Sequence, residues 1–112
     1  MNGLTHCPCC GTGNLSEELI RRLHVVEDVL MVTLHINSGF RCKKHNAEVG
    51  GSKTSSHLKG LAADVRIEDS RHRFNIMTAL LDVGIKRIGV YPNMIHADLD
   101  HSKTQRVLWY ED

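Results

Sequence analysis

The sequence has few aromatic residues, almost no net charge and no long apolar run. Each of these features excludes a type of core, a class of partner or a membrane span. Aromatic side chains make up only 4% of the 112 residues, so a core must be built from leucine, isoleucine and valine. The formal charge of +1 gives no electrostatic basis for binding nucleic acid or a membrane surface. No stretch approaches the roughly 18 apolar residues of a spanning helix, and no basic-then-apolar signal segment is visible.

The length predicts a single domain covering residues 1–112, because 41% hydrophobic residues suffice for one modest core but not for two. We expect this domain to be a monomer that is made in the cytoplasm.

The most informative segment is 55–64, which reads S-S-H-L-K-G-L-A-A-D and fits the pattern S-x-H-x-x-G-x-A-x-D at every fixed position. It places His57 and Asp64 seven residues apart with small residues between them, so that both side chains can reach one metal ion. A second histidine, His96, follows in I-H-A-D. Two histidines and one aspartate form a ligand set of the catalytic zinc type, which leaves a position for water.

Two flanking segments extend this pattern: N-S-G-F-R at 37–41 and G-V-Y at 89–91. With them the sequence resembles the M15 family of zinc peptidases, in particular the short D-Ala-D-Ala carboxypeptidase-like domains of phage and bacterial cell-wall proteins. The resemblance runs from about Cys7 to Trp109. It implies a hedgehog-like fold and a zinc-dependent peptidase that hydrolyses peptidoglycan stem peptides, acting on the wall after release by phage lysis or after export.

The resemblance also assigns roles to two other residues. Arg41 matches an arginine that faces the substrate in the family, and Ser55 matches a serine that helps to hold the substrate or the site. The alternatives are a surface salt bridge for Arg41 and a loop cap for Ser55.

At the position of the catalytic base this chain departs from part of the family. Several M15 relatives carry it as an acidic residue three positions before the second histidine, where this chain has Asn93. Asp98 shares a strand face with His96, so it is the candidate for the carboxylate that takes a proton from water. It could instead orient a ligand or be merely structural, and Asp100 is a weaker candidate base.

Four cysteines lie at positions 7, 9, 10 and 42. A C-x-x-C spacing and a C-x-x-H spacing suggest a structural zinc held by Cys7, Cys10, Cys42 and His45, although a disulfide or free thiols would fit as well. Each alternative would tie the N-terminal segment to the loop after Arg41.

Hydrophobic periodicity predicts an α+β domain: a small antiparallel sheet with helices packed on one face and the zinc site on the other. One helix is expected over 15–30, capped by Asn14, and a second that is capped by Ser70 and ended by Gly84, with Phe74, Met77, Leu80 and Leu81 inward. Strands are expected at 32–37, 62–67, 86–91 and 94–99, with an edge segment at 106–110 and a long loop over 38–56.

A different class of function stays open, because a fold of this kind need not carry the activity. The hedgehog signalling domain shares the fold and the metal site that the resemblance implies. The alternative is therefore a non-catalytic, zinc-containing module that binds cell wall or forms part of a phage particle.

Overall fold

A computed structural model describes all 112 residues as three α-helices, one short 3-10 helix and a six-stranded sheet. The helices are α1 (Glu17–Leu30), α2 (Lys43–Glu48) and α3 (Ser70–Asp82), with the 3-10 helix at Ser56–Lys59. The strands are β1 (Asn2–Gly3), β2 (His35–Ser38), β3 (Ala62–Arg66), β4 (Arg87–Val90), β5 (Met94–Asp98) and β6 (Val107–Tyr110). No helix combines the length and the apolar composition needed to cross a lipid bilayer.

The sheet is mixed, which corrects the expectation of an antiparallel sheet. Its strand order is β1-β2-β3-β5-β4-β6, and the four central strands are antiparallel to one another. The two edge strands are parallel to the strands they join, β1 to β2 and β6 to β4. The central β4–β5 hairpin follows the sequence prediction, whereas the outer pairings are non-local and leave no periodic signal in the sequence.

The sheet separates an apolar layer from a polar layer. Because successive strand residues point to opposite faces, Ala63, Val65 and Ile95 face the helices, while Asp64 and His96 face the other way. The helix-facing residues form one buried cluster with Leu23 of α1 and with residues of α3. Both long helices therefore cover one face, and the candidate metal ligands on β3 and β5 belong to the other face.

Helix α1 begins two residues later than the sequence predicts, and both long helices are capped by a residue other than the predicted one. Ser16 caps α1 by accepting a hydrogen bond from the Leu19 backbone N–H at 3.2 Å, whereas the predicted cap Asn14 bonds only to its neighbour Leu15. Asp69, and not Ser70, caps α3. In each case the capping side chain lies one or two residues from the predicted one, and neighbouring polar residues of similar capping strength make such positions hard to separate from sequence.

The inward face of α3 also differs from the prediction. Phe74 and Leu81 are 64% and 52% exposed, and the buried positions of the helix are Ile76, Ala79 and Leu80. The predicted stripe shares Leu80 with the buried face but is otherwise rotated around the helix.

We predict that Leu23→Ala destabilises the domain by about 2–5 kcal/mol, because the fully buried side chain would leave a cavity between α1 and the sheet. The matched control is Val29→Ala on the same helix, where the side chain is 67% exposed and the change should stay within about 0.5 kcal/mol. Urea denaturation of both variants measures the difference. Equal midpoints for the two variants would contradict the packing described above.

Candidate metal centre

Two histidines and an aspartate from three separate segments converge on the polar face of the sheet. One ligand atom from each of His57, Asp64 and His96 lies within 4.8 Å of the others. His57 Nε2 is 3.3 Å from one Asp64 carboxylate oxygen, and His96 Nδ1 is 3.0 Å from the other. Asp64 and His96 are paired directly across β3 and β5, so the sheet register itself fixes their separation.

His57 reaches this point from the 3-10 helix at Ser56–Lys59, which the sequence analysis did not predict. Ser55 caps that helix, since its Oγ accepts a hydrogen bond from the His57 backbone N–H at 3.2 Å. Gly60 ends it with a φ of 69°, and a Cβ there would lie 2.5 Å from the Asn14 carbonyl oxygen. The glycine of the sequence pattern is thus required both by its conformation and by the close approach of the chain.

The ring nitrogens that point away from Asp64 are also held. His57 Nδ1 lies 2.8 Å from the Gly39 carbonyl oxygen, and His96 Nε2 lies 2.8 Å from Asp98 Oδ2. Metal-binding histidines usually donate their second N–H to a carbonyl or a carboxylate, which fixes the ring and its tautomer. The other two nitrogens, His57 Nε2 and His96 Nδ1, both face the Asp64 carboxylate, so the donor set fits a zinc ion.

Burial and hydrogen bonding act in opposite directions on the charges of this site. Burial alone would raise the pKa of Asp64, but hydrogen bonds to His57 and His96 outweigh it and hold that pKa well below its usual range. Burial would lower the pKa of His96, but its bonds to Asp64 and Asp98 raise it. Asp64 is therefore an anion without any metal present, ready to act as a ligand.

Arg41 lies beside the candidate ligands. Its Nη2 is 3.4 Å from Asp64 Oδ2, its Nε donates to Ser38 Oγ at 2.9 Å, and its Nη1 donates to Asn46 Oδ1 at 3.3 Å. The side chain is 14% exposed, and burial lowers the pKa of the guanidinium although the Asp64 charge opposes this. The contacts place Arg41 at the site rather than in a surface salt bridge. Ser55 makes the capping bond described above.

Asp98 is close to the site but contacts the nitrogen of the His96 ring that points away from Asp64. Its Oδ2 accepts from His96 Nε2, and its Oδ1 accepts from Arg87 Nε at 2.8 Å and from the Asp100 backbone N–H at 3.0 Å. Burial would raise its pKa, but these bonds lower it. The Asp98 carboxylate is 1% exposed and already accepts hydrogen bonds from three donors. This environment favours a role in orienting His96 over the role of catalytic base.

Asp100, the weaker candidate base, is buried in a separate network. Ser56 Oγ donates to its Oδ2 at 2.7 Å, and Lys59 Nζ lies 3.3 Å from both carboxylate oxygens. These bonds join the 3-10 helix that carries His57 to the chain just after β5. Asp100 therefore stabilises the position of His57 and does not face the candidate ligands.

Sequence reasoning missed an aromatic wall beside His96. The Trp109 ring of β6 lies 5.4 Å from the His96 ring, and its Nε1 donates to the Tyr91 hydroxyl at 3.2 Å. The Arg87 guanidinium stands 5.3 Å from the centre of the indole ring. The signal in the sequence was a glycine, Gly89, inside a predicted strand, which often marks a close approach of another group. In the structure that group is the indole, which a Cβ at this position would meet at 2.5 Å.

We predict that Gly89→Ala displaces Trp109, lowers stability by about 1–3 kcal/mol through overpacking and changes the fluorescence of this single tryptophan. Thermal unfolding and emission spectra measure both effects. Combining Gly89→Ala with Trp109→Ala removes the clash, so the double variant should be less destabilised than the two single effects added together. Strict additivity would show that the two residues do not compete for the same space.

The four cysteines form a second candidate group. The sulfur atoms of Cys7, Cys9, Cys10 and Cys42 all lie within 4.8 Å of one another, and none is joined in a disulfide. This group contains Cys7, Cys10 and Cys42 of the predicted set and has Cys9 where the prediction had His45. A tight turn after Cys7, closed by the bond from the Gly11 N–H to the Cys7 carbonyl, brings the Cys9 sulfur to 3.5 Å from that of Cys7.

The fold and the polar face of the sheet define an α+β domain with a candidate metal site of the three-ligand type found in catalytic zinc centres. A family model described as Peptidase M15 matches residues 1–100, and the chain therefore belongs to the M15 peptidase family. The matched region includes His57, Asp64, His96 and Asp98 and ends before β6, which carries Trp109. No curated protein matches the chain.

Proposed function

We propose that this chain is a zinc-dependent peptidase that hydrolyses peptidoglycan stem peptides, as a D-Ala-D-Ala carboxypeptidase or as an endopeptidase of the endolysin type. The observation that carries the proposal is the convergence of His57 Nε2, Asp64 and His96 Nδ1. The second nitrogen of each histidine ring is already hydrogen-bonded, to the Gly39 carbonyl or to the Asp98 carboxylate. Membership in the M15 family supports the peptidase activity. The protein would meet its substrate after release from the cytoplasm or after export.

His57, Asp64 and His96 would hold the ion. Zinc in such a site polarises a carbonyl group and lowers the pKa of water. The protein contributes a fixed ligand geometry, because the sheet register sets Asp64 against His96 and the Gly39 carbonyl sets the His57 ring. A fixed geometry removes the need for the site to reorganise during the reaction.

Arg41 would bind the substrate. A guanidinium has five N–H donors, and in this structure three of its nitrogens each direct a bond to Ser38, Asn46 or Asp64. The N–H groups that remain are suited to a peptide carboxylate or to negative charge developing on a carbonyl oxygen. The Trp109 indole would form the neighbouring wall of the substrate site.

The test is incubation of the zinc-loaded protein with purified muropeptides, followed by mass spectrometry of the products. Loss of a terminal alanine would identify a carboxypeptidase, and cleavage within the stem an endopeptidase. A chelator should abolish the reaction and added zinc should restore it. Arg41→Ala should raise KM and lower kcat, whereas Arg21→Ala on the exposed face of α1 should change neither.

A second candidate is a zinc-containing module that binds cell wall without cutting it. The observation in its favour is that Asp98 is occupied by His96 Nε2, together with the neutral Asn93 at the position where several M15 relatives carry an acid. Such a module would sediment with insoluble peptidoglycan and leave muropeptides intact. Cleavage of any stem-peptide bond by the purified protein excludes this alternative.

A further inference from the structure

We propose that Cys7, Cys9, Cys10 and Cys42 bind a structural zinc ion, separate from the metal centre on the sheet, and that this ion fixes the turn carrying Gly39 and Arg41. The proposal does not depend on the peptidase activity. All four cysteines of the chain are in the cluster, three from the N-terminal turn and one that is 32 residues beyond Cys10.

The distances between the sulfur atoms suit a tetrahedral metal site. A zinc–sulfur bond of about 2.3 Å gives a tetrahedron with an edge of roughly 3.8 Å. Cys9 Sγ lies 3.5 Å from Cys7 Sγ and 3.3 Å from Cys42 Sγ, and no pair in the cluster is more than 4.8 Å apart. A disulfide would join Cys9 to only one of these neighbours, whereas a zinc ion accepts all four sulfurs.

Backbone N–H groups point at the sulfur atoms as they do around metal-bound thiolates. The Cys42 N–H donates to Cys7 Sγ and the His45 N–H donates to Cys42 Sγ, both at 3.4 Å. Such hydrogen bonds stabilise negative sulfur and orient it toward a shared ion. His45 thus takes part through its backbone, which explains why the C-x-x-H spacing did not mark a ligand.

The N-terminal turn has little else to hold it together. It contains no helix or strand between Leu4 and Leu15, and most of its side chains are exposed. Its internal backbone bonds include Gly11 N–H to the Cys7 carbonyl at 2.7 Å and Cys7 N–H to the Thr12 carbonyl at 3.2 Å. A segment with so little apolar burial gains most from a metal or a covalent cross-link.

The same turn contacts the backbone that positions residues of the candidate metal centre. The Phe40 N–H donates to the Thr5 carbonyl at 3.0 Å, and a Cβ on Gly39 would lie 2.7 Å from the carbonyl oxygens of Leu4 and Thr5. Gly39 in turn accepts the bond from His57 Nδ1. An ion at the cysteines would therefore hold the backbone that orients His57 and Arg41.

The experiment uses His57→Ala, which removes a ligand of the sheet site and leaves all four cysteines. After reconstitution under reducing conditions, we expect about two zinc ions per wild-type chain and about one per His57→Ala chain. Substitution of cobalt for zinc in His57→Ala should give the intense near-ultraviolet absorption of thiolate-to-cobalt charge transfer. A variant without bound metal, or with cobalt but without that absorption, overturns the proposal.

The ligand set is tested by two further variants. Cys9→Ser should lose the charge-transfer band or shift it, and should lower Tm by roughly 10 °C, whereas His45→Gln should retain both the band and the Tm. If Cys9→Ser does not fold, thiol titration of the wild-type protein decides: zinc should slow modification of the four thiols at least about tenfold, and a chelator should reverse this. Equal modification rates with and without zinc would overturn the proposal. So would an intact protein mass lower by two hydrogen atoms, because it would show a disulfide.

Discussion

Replacing His96 by alanine is expected to abolish zinc binding on the sheet and to lower stem-peptide hydrolysis by at least about a thousandfold. His96 supplies one of three donor atoms, and its ring also separates Asp64 from Asp98. Without it, two ligands remain, from His57 and Asp64, and two ligands hold zinc poorly. Metal content and muropeptide turnover should fall together.

The control for this variant is His101→Ala, which removes an exposed histidine that is not a candidate ligand. It should bind metal and turn over substrate at the wild-type rate. The far-ultraviolet circular dichroism of both variants should match the wild type, because His96 lies outside the apolar cluster. If His96→Ala keeps a full metal complement and full activity, the metal centre is wrongly assigned.

The candidate ligands could be brought together from sequence because their signals are local. Residues two apart on a strand share a face, and this placed His96 and Asp98 on one side of β5. The spacing within 55–64 placed His57 near Asp64. Neither argument could say which nitrogen of His96 faces Asp64, and that single fact decides how Asp98 is interpreted.

The parts that sequence could not supply depend on contacts between distant segments. Trp109 reaches His96 only because β6 pairs in parallel with β4, and a four-residue edge strand carries no signal of its partner. The cluster contains Cys9 and not His45, because the fold of the loop, and not the spacing of residues in the sequence, decides which side chains meet. The buried face of α3, which includes Ala79 and not Phe74, was misjudged for a similar reason, since contacts with distant segments decide which side of an apolar helix is covered.

The two roles considered for Asp98 predict different outcomes for Asp98→Asn. The carboxylate accepts hydrogen bonds from His96 and Arg87 at 2.8 Å each, and a neutral amide offers only one oxygen for these two donors. If Asp98 orients His96, the variant should bind zinc about 10- to 100-fold more weakly and recover much of its turnover when zinc is in excess. This is the result that we expect from the geometry.

A catalytic base would behave in the opposite way. Asp98→Asn would then keep the zinc affinity of the wild type and lose at least about a hundredfold in kcat at any zinc concentration. Zinc titrations followed by turnover at saturation separate the two cases, with Asp82→Asn at the exposed end of α3 as the control. The outcome also bears on the choice between enzyme and binding module. A variant that recovers turnover in excess zinc requires a proton acceptor other than Asp98, and Asn93 cannot supply one.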